Sequence, residues 1–211
     1  MDLKFHDACE GDLEGVVRLH LSSFAGFFLS RLGAGFLREY YRLILNNAGG
    51  ILVVALEQGK TVGFAAGYAS PASFHSALKE RRLSFALAAL PALLKDPGIL
   101  RRLWLDYRQV QRLSLPETGD GEGELSSLGV LPTESGRGIG HSLLEAFISR
   151  MEGKGVSGIT LTTDAEGNDG VNAFYRKAGF SLARSFTQGD GRRMNEYRLE
   201  LPRSPLIRRS R

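Results

Sequence analysis

The 211-residue chain has a single cysteine, Cys9, and four histidines. One thiol excludes an intramolecular disulfide and any zinc cluster built on cysteine, so nothing calls for an oxidising compartment. His6, His20, His75 and His141 lack the spacing of metal ligands, and no metal is expected. Long apolar runs are missing too. The longest near-continuous one, Leu83 to Leu94, falls well short of the ~20 residues that cross a bilayer and contains Pro91, so stable membrane insertion is not expected. The opening residues, MDLKFHDACEGDLEG, are acidic where a secretory signal would be basic and then apolar. The expected location is cytoplasmic.

Neither sign of charge dominates. Lys and Arg number 27 against 23 Asp and Glu, a net +4. Several of the arginines fall in LPRSPLIRRSR at the C-terminus, which reads as a solvated basic tail over 202–211, and no nucleic-acid partner is expected. A small positive excess suits an enzyme that handles a polyanionic ligand. With 43% hydrophobic residues the chain can bury a proper core, and one domain over 1–201 is the simplest organisation.

What is present alternates between two periodicities. Leu3 to Asp7 reads as a half-buried strand, and GDLEGVVRLHLSSF places Leu13, Val16, Val17, Leu19 and His20 at helical spacing. After breaks at Gly26 and at Gly33 to Gly35, FLREYYRLILNN reads as a second helix with Phe36, Leu37, Tyr40, Leu43 and Ile44 on one face. ILVVALEQGKTVGFAAGYA is two β-rich runs joined at Gln58-Gly59, a hairpin. Residues 71–116 change character: rich in Leu, Ala and Arg and broken at Pro91 and at KDPG, they read as two or three helices. Then follow a glycine-rich linker, the strand ELSSLGVL, a helix to Met151, the strand SGITLTTD, the helix GVNAFYRKAG, and the closing strands FSLARSFT and RRMNEYRLEL. This order predicts an α/β (α+β) fold, a mixed sheet of about seven strands with flanking helices and a helical insertion between strands 3 and 4.

The stretch LPTESGRGIGHSLLEAF carries the first chemical signal. Gly136, Gly138 and Gly140 let the backbone curl so that successive N–H groups converge at the positive end of the helix that follows, an arrangement that binds phosphate. Leu143, Leu144, Phe147, Ile148 and Met151 anchor that helix. The spacing is neither the P-loop G-x-x-x-x-G-K-S/T nor the dinucleotide G-x-G-x-x-G. The second signal is NDGVNAFYRKAGF, residues 168–180.

Together the two blocks resemble the GNAT acetyltransferase superfamily. Ser135-Gly136-Arg137-Gly138-Ile139-Gly140 matches its R/Q-x-x-G-x-G/A motif, and Asn168, Val171, Phe174, Tyr175, Lys177, Gly179 and Phe180 match N-x-x-A-x-x-F-Y-x-K-x-G-F. One position departs: Ser135 stands where the family carries Arg or Gln, a cost to donor affinity that Arg137 could offset by charge. The resemblance covers about 124–201 strongly, extends plausibly over the first 70 residues, and is absent from 71–116.

The resemblance implies a mostly antiparallel sheet with acetyl-CoA, as acyl donor, lying between two splayed parallel strands. Its pantetheine would bond the backbone of Leu128, Gly129 and Val130. Its pyrophosphate would rest on Ser135 to Gly140, with Asn168 nearby. The reaction would be acyl transfer from thioester to amine. Tyr175 matches the family's general acid, since a phenol of pKa near ~10 stays protonated at neutral pH. Glu124, eleven residues before the motif, is the expected base, with Glu122 as fallback. An N–H at or beside Leu128, aimed by a bulge, would serve the oxyanion.

The expected acceptor is a small-molecule amine such as an amino sugar or amino acid derivative, with a protein N-terminus or lysine as the alternative. Phe24, Phe27 and Phe28 offer an apolar wall. The insertion, with Arg81, Arg82, Arg101 and Arg102, could be a lid, a homodimer surface or a membrane-leaning face. A CoA-binding regulatory module without catalysis is the reading from another class. The presence of Asn168, Tyr175 and Glu124 argues against it.

Overall fold

A computed structural model describes residues 3–96, 98, 121–189 and 191–202. The expected insertion from 99 onward, Arg101 and Arg102 included, and the tail from 203 lie outside the described residues. The chain runs β1 (Leu3–Asp7), α1 (Leu13–Ser23), α2 (Phe28–Arg31), α3 (Gly33–Asn46), β2 (Gly50–Glu57), β3 (Lys60–Tyr68), α4 (Pro71–Glu80), α5 (Arg82–Lys95), β4 (Glu122–Val130), α6 (Ile139–Gly153), β5 (Gly158–Asp164), α7 (Asp169–Lys177), β6 (Ser181–Thr187) and β7 (Arg193–Glu200). The strands form one sheet in the order β1-β2-β3-β4-β5-β7-β6. Only β4 with β5 is parallel; the other pairs are antiparallel.

Strands β2 and β3 are buried on both faces, and strand alternation divides the core. Along β2, Ile51, Val53 and Ala55 join the cluster under α6 that includes Leu143, Phe147 and Met151. Leu52 and Val54 point the other way, into the cluster of α1, α3 and α4 with Val17, Tyr41 and Phe74. The β2–β3 turn has Gln58 at φ 50° and Gly59 at φ 75°, the left-handed pair that suits a two-residue hairpin.

Two expected breaks lie inside helices. Gly33 opens α3 at φ +87°, and Gly35 allows α5 to approach, since a Cβ there would stand 2.9 Å from the Ala88 carbonyl oxygen. Pro91 sits within α5 on its solvent side, near Leu87, which is 70% exposed. The Leu87 carbonyl that loses its N–H partner is therefore open to hydration, which softens the usual cost of about 3 kcal/mol. The actual break between α4 and α5 is Arg81. Ser70 caps α4, accepting from the Ser73 N–H at 3.3 Å, with Pro71 at the first helical position.

Candidate active site

Parallel strands β4 and β5 are paired only at Glu122–Gly158, Gly123–Ile159 and Glu124–Thr160. Beyond Glu124 they diverge, and the second half of β4 keeps only its β3 neighbour. The reason is local. Ser126 is an extra residue in β4: Ala66 pairs with Ser127 and Gly67 with Leu125, so Ser126 has no counterpart. Its hydroxyl donates to the Ala66 carbonyl at 3.0 Å. Such a bulge bends the strand and turns it away from β5. Gly67 makes the bulge possible, because a Cβ there would lie 2.0 Å from the Glu124 carbonyl oxygen.

The bulge sets which backbone groups face the gap. The Leu131 N–H donates to the Val62 carbonyl of the β3 side at 2.9 Å. Successive residues present their backbone groups to opposite edges, so Gly129 also faces β3, while Leu128 and Val130 face the splay. The Val130 carbonyl accepts from Ser23 Oγ at 3.4 Å, from the side away from β3.

The glycine turn lies at the end of this gap. Gly136 and Gly138 both have φ +79°, and a Cβ at either would meet nothing within 4 Å, so the concavity they line is open. Among the described residues, the N–H groups of Gly136, Gly138, Ile139, Gly140 and His141 donate no backbone–backbone hydrogen bond, and Gly138, as N-cap of α6, supplies no side-chain cap. N–H groups at the start of a helix are orphan donors of the kind that anions satisfy. Ile139 is 1% exposed and ties the turn to the core. A Cβ on Gly140 would face Val130 Cγ2 at 3.7 Å, Leu128 Cδ2 at 3.9 Å and Phe174 Cε2 at 3.9 Å. The two sequence blocks thus meet across the splay, at the glycine turn and α7.

The remaining expected residues sit as follows. Ser135 is exposed, its N–H on Pro132. Arg137 is committed elsewhere: its guanidinium forks onto Glu57, Nη2 to Oε1 at 2.8 Å and Nη1 to Oε2 at 3.0 Å, and also pairs with Glu134. Asn168 donates to Thr163 Oγ1 at 2.8 Å, joining the end of β5 to the start of α7.

Glu124 stands directly opposite Tyr68 in the β3–β4 register. Burial raises its pKa above the usual carboxylate range; the Tyr68 hydroxyl opposes that shift and the charge of Glu196 adds to it. Tyr68 is stacked on Phe74 of α4, centroids 4.1 Å apart and 8° from parallel, so the first helix of the insertion supports the partner of Glu124. Glu122 is 3% exposed and ion-paired with Arg198 of β7, which fits a structural charge better than a mobile base. Tyr175 is 7% exposed on α7, with ring centroids 5.2 Å from Phe174 and 5.7 Å from Phe180. Burial pushes its phenol well above the ordinary value, keeping it protonated. Phe24 and Phe27 come together, centroids 5.9 Å apart, and the Arg192 guanidinium lies 5.2 Å from the Phe27 ring. Phe28 instead starts α2 and packs with Leu32.

Three contributors escaped the sequence reading. Tyr68 and Gly67 lie in a strand whose interior glycine is itself a signal for a bulge or close approach. Asn172, 3% exposed, has all four hydrogen-bonding positions filled: its amide donates to the carbonyls of Asp164 (2.9 Å) and Asn168 (2.8 Å), and its oxygen accepts from Asn195 (3.0 Å) and Tyr197 (2.9 Å). It fixes α7, and with it Tyr175, against β5 and β7. No signal separated it from an exposed helix residue.

Comparison with known proteins identifies the family and the fold. The model of the acetyltransferase (GNAT) family matches residues 17–180. The mycothiol acetyltransferase of Propionibacterium freudenreichii is 41% identical over 66 residues, a stretch that covers 31% of this chain and 21% of that protein. Among solved structures, the ribosomal-protein-S18-alanine N-acetyltransferase of Escherichia coli aligns with TM-score 0.61 at 15% identity, covering 98% of both chains. The PaiA N-acetyltransferase of Thermoplasma acidophilum, solved in complex with coenzyme A, aligns at 0.53 and 14% identity over 93% of this chain and 98% of that one. At these identities the structural likeness is one of fold. Among the described residues no helix is long and apolar enough to cross a membrane, and no group of three or more His, Cys, Asp or Glu could hold a metal ion.

Proposed function

The chain belongs to the acetyltransferase (GNAT) family, and on that premise we propose that it moves an acetyl group from acetyl-CoA to the amine of a small molecule. The observation that carries this is the gap beyond Glu124–Thr160 with the open glycine turn at its end, where Gly136 and Gly138 take φ +79° and a Cβ would meet nothing within 4 Å. The gap has the shape of a slot for an extended chain, and the turn at its end has the donors for a phosphate. Bound there, acetyl-CoA supplies an activated thioester carbonyl.

The chain's own residues divide the remaining work. Leu128 and Val130 offer backbone groups to the donor's amide-bearing arm, with Gly129 holding the strand on β3. Residues 136–140 hold phosphate, with Ser135 and Asn168 at the margins. The Leu128 N–H, aimed by the bulge at Ser126, stabilises negative charge as it develops on the carbonyl oxygen. Glu124 takes a proton from the incoming ammonium, directly or through water; its raised pKa brings it closer to the range where a base works at neutral pH. Tyr175, held protonated, donates to the departing sulfur.

We read residues 1–201 as one acyltransferase domain, with the insertion as part of the acceptor's wall. Support comes from Phe74, which braces Tyr68 and so reaches Glu124, while α4 and α5 contribute no residue to the glycine turn. The short curated match also bears the name of an acetyltransferase and not of a carrier or regulator. The test is release of free thiol from acetyl-CoA in the presence of amino sugars, amino acid derivatives and peptides with free N-termini. Turnover with a small amine supports the reading, turnover only with peptides moves the acceptor to proteins, and tight binding without turnover makes the chain a binding module.

A further inference from the structure

The phosphate turn carries its own counter-charge. Arg137 is its arginine, yet the guanidinium is held by two carboxylates from different parts of the chain: Glu57 at the end of β2, in a two-pronged contact at 2.8 and 3.0 Å, and Glu134 just before the turn. The triad sums to one net negative charge. It lies beside N–H groups that are arranged for an anion, and Ser135 adds no compensating cation. A ligand with several phosphate charges therefore meets either an intact triad that repels it or an arginine that must leave its carboxylates first.

We propose that Glu57 and Glu134 form an electrostatic latch that holds Arg137 away from the donor's phosphates and weakens donor binding. Acetyl-CoA entry then exchanges partners, with Arg137 passing from the carboxylates to phosphate. This inference rests on the placement of the donor at the glycine turn. The alternative role for the triad is a brace that preorganises the turn and strengthens binding. Two observations weigh against the brace. The turn is already anchored by Ile139, Leu143 and Leu144, each no more than 1% exposed. The Arg137 side chain is 36% exposed, against 12% for Glu57 and 20% for Glu134, and ion pairs with one solvated partner contribute little to holding a backbone. The repulsion between a carboxylate and several phosphate charges adds up over all of them, so it outweighs one solvated brace.

The test is calorimetric titration of the full chain with CoA, needing no acceptor and no turnover. Glu134→Gln and Glu57→Gln should each tighten binding by about three- to tenfold at low ionic strength, with the gain shrinking at about 0.5 M salt. Arg137→Met should weaken binding. Glu14→Gln, which removes a carboxylate from the remote exposed pair with Arg38, should leave affinity within about twofold, separating the latch from an effect of net charge. Unchanged or weaker binding in both folded Gln variants, by melting temperature, would overturn the latch and make the triad a brace. If the parent chain itself binds no CoA, the donor assignment fails and the latch fails with it; a parent that binds while the Gln variants gain nothing fails the latch alone.

Discussion

Tyr68 on β3 and Glu124 on β4 face each other in register at the last point before β4 bulges and leaves β5. The pair joins a half-buried carboxyl to the place where the sheet opens. Burial favours the neutral acid and the phenol favours the carboxylate, so removing the phenol must raise the carboxyl pKa further. If Glu124 is the base, kcat rises with pH as it ionises. Tyr68→Phe should move that acidic limb to higher pH, and a pH–rate profile with an unmoved limb would remove Glu124 from the role.

Glu124 also links activity to stability with a definite sign. A carboxyl whose folded pKa is raised contributes stability below its unfolded pKa and loses it as pH rises through the folded one, so the ionised group costs stability at neutral pH. Glu124→Gln is therefore expected to melt at a higher temperature than the parent at pH 7 while losing about 10²- to 10⁴-fold in kcat. The difference in melting temperature should narrow on acidification. A variant that is both less stable and fully active contradicts the assignment.

Tyr175→Phe should lower kcat within the same ~10²- to 10⁴-fold range and leave acetyl-CoA affinity nearly intact, since the ring and its contacts with Phe174 and Phe180 remain. Weaker donor binding with unchanged kcat would make Tyr175 a packing residue.

Much of this was legible along the chain, and the rest was not for a physical reason. The glycine turn, the Asn168–Phe180 block and the strand order are written in local spacing, which periodicity and turn chemistry expose. Pairing across the sheet is not local. The bulge at Ser126 depends on Gly67, and the partner of Arg137 is Glu57, 80 residues away in sequence. Arg137 looked like spare positive charge because Glu57, which takes both its guanidinium prongs, is distant in sequence. Pro91 and Gly35 read as breaks because their neighbours, solvent beside Leu87 and the Ala88 carbonyl, belong to tertiary structure.

Asn172→Leu should cost roughly 2–4 kcal/mol, because it leaves two carbonyls, Asn195 and the Tyr197 hydroxyl without the partner they now share. Denaturant unfolding measures this. A loss below about 0.5 kcal/mol would show that water replaces the amide and that α7 is held by packing alone.

Phe74→Ala should reduce turnover of the acceptor while leaving the CoA dissociation constant unchanged, because the ring supports Tyr68 and touches no residue of the glycine turn. Steady-state kinetics paired with calorimetry separates the two. Loss of CoA binding in a folded variant would place the insertion in the donor site.

The central claim is where the donor lies, and amide chemical-shift mapping during titration of ¹⁵N-labelled protein with acetyl-CoA tests it most directly. The account predicts the largest shifts at the N–H groups of 136–141, with a second set at Leu128 and Val130, and loss of both sets in Gly138→Val, whose φ of +79° a β-branched residue does not tolerate. Saturable binding with shifts confined to other parts of the sheet, or a full response in Gly138→Val, would contradict it.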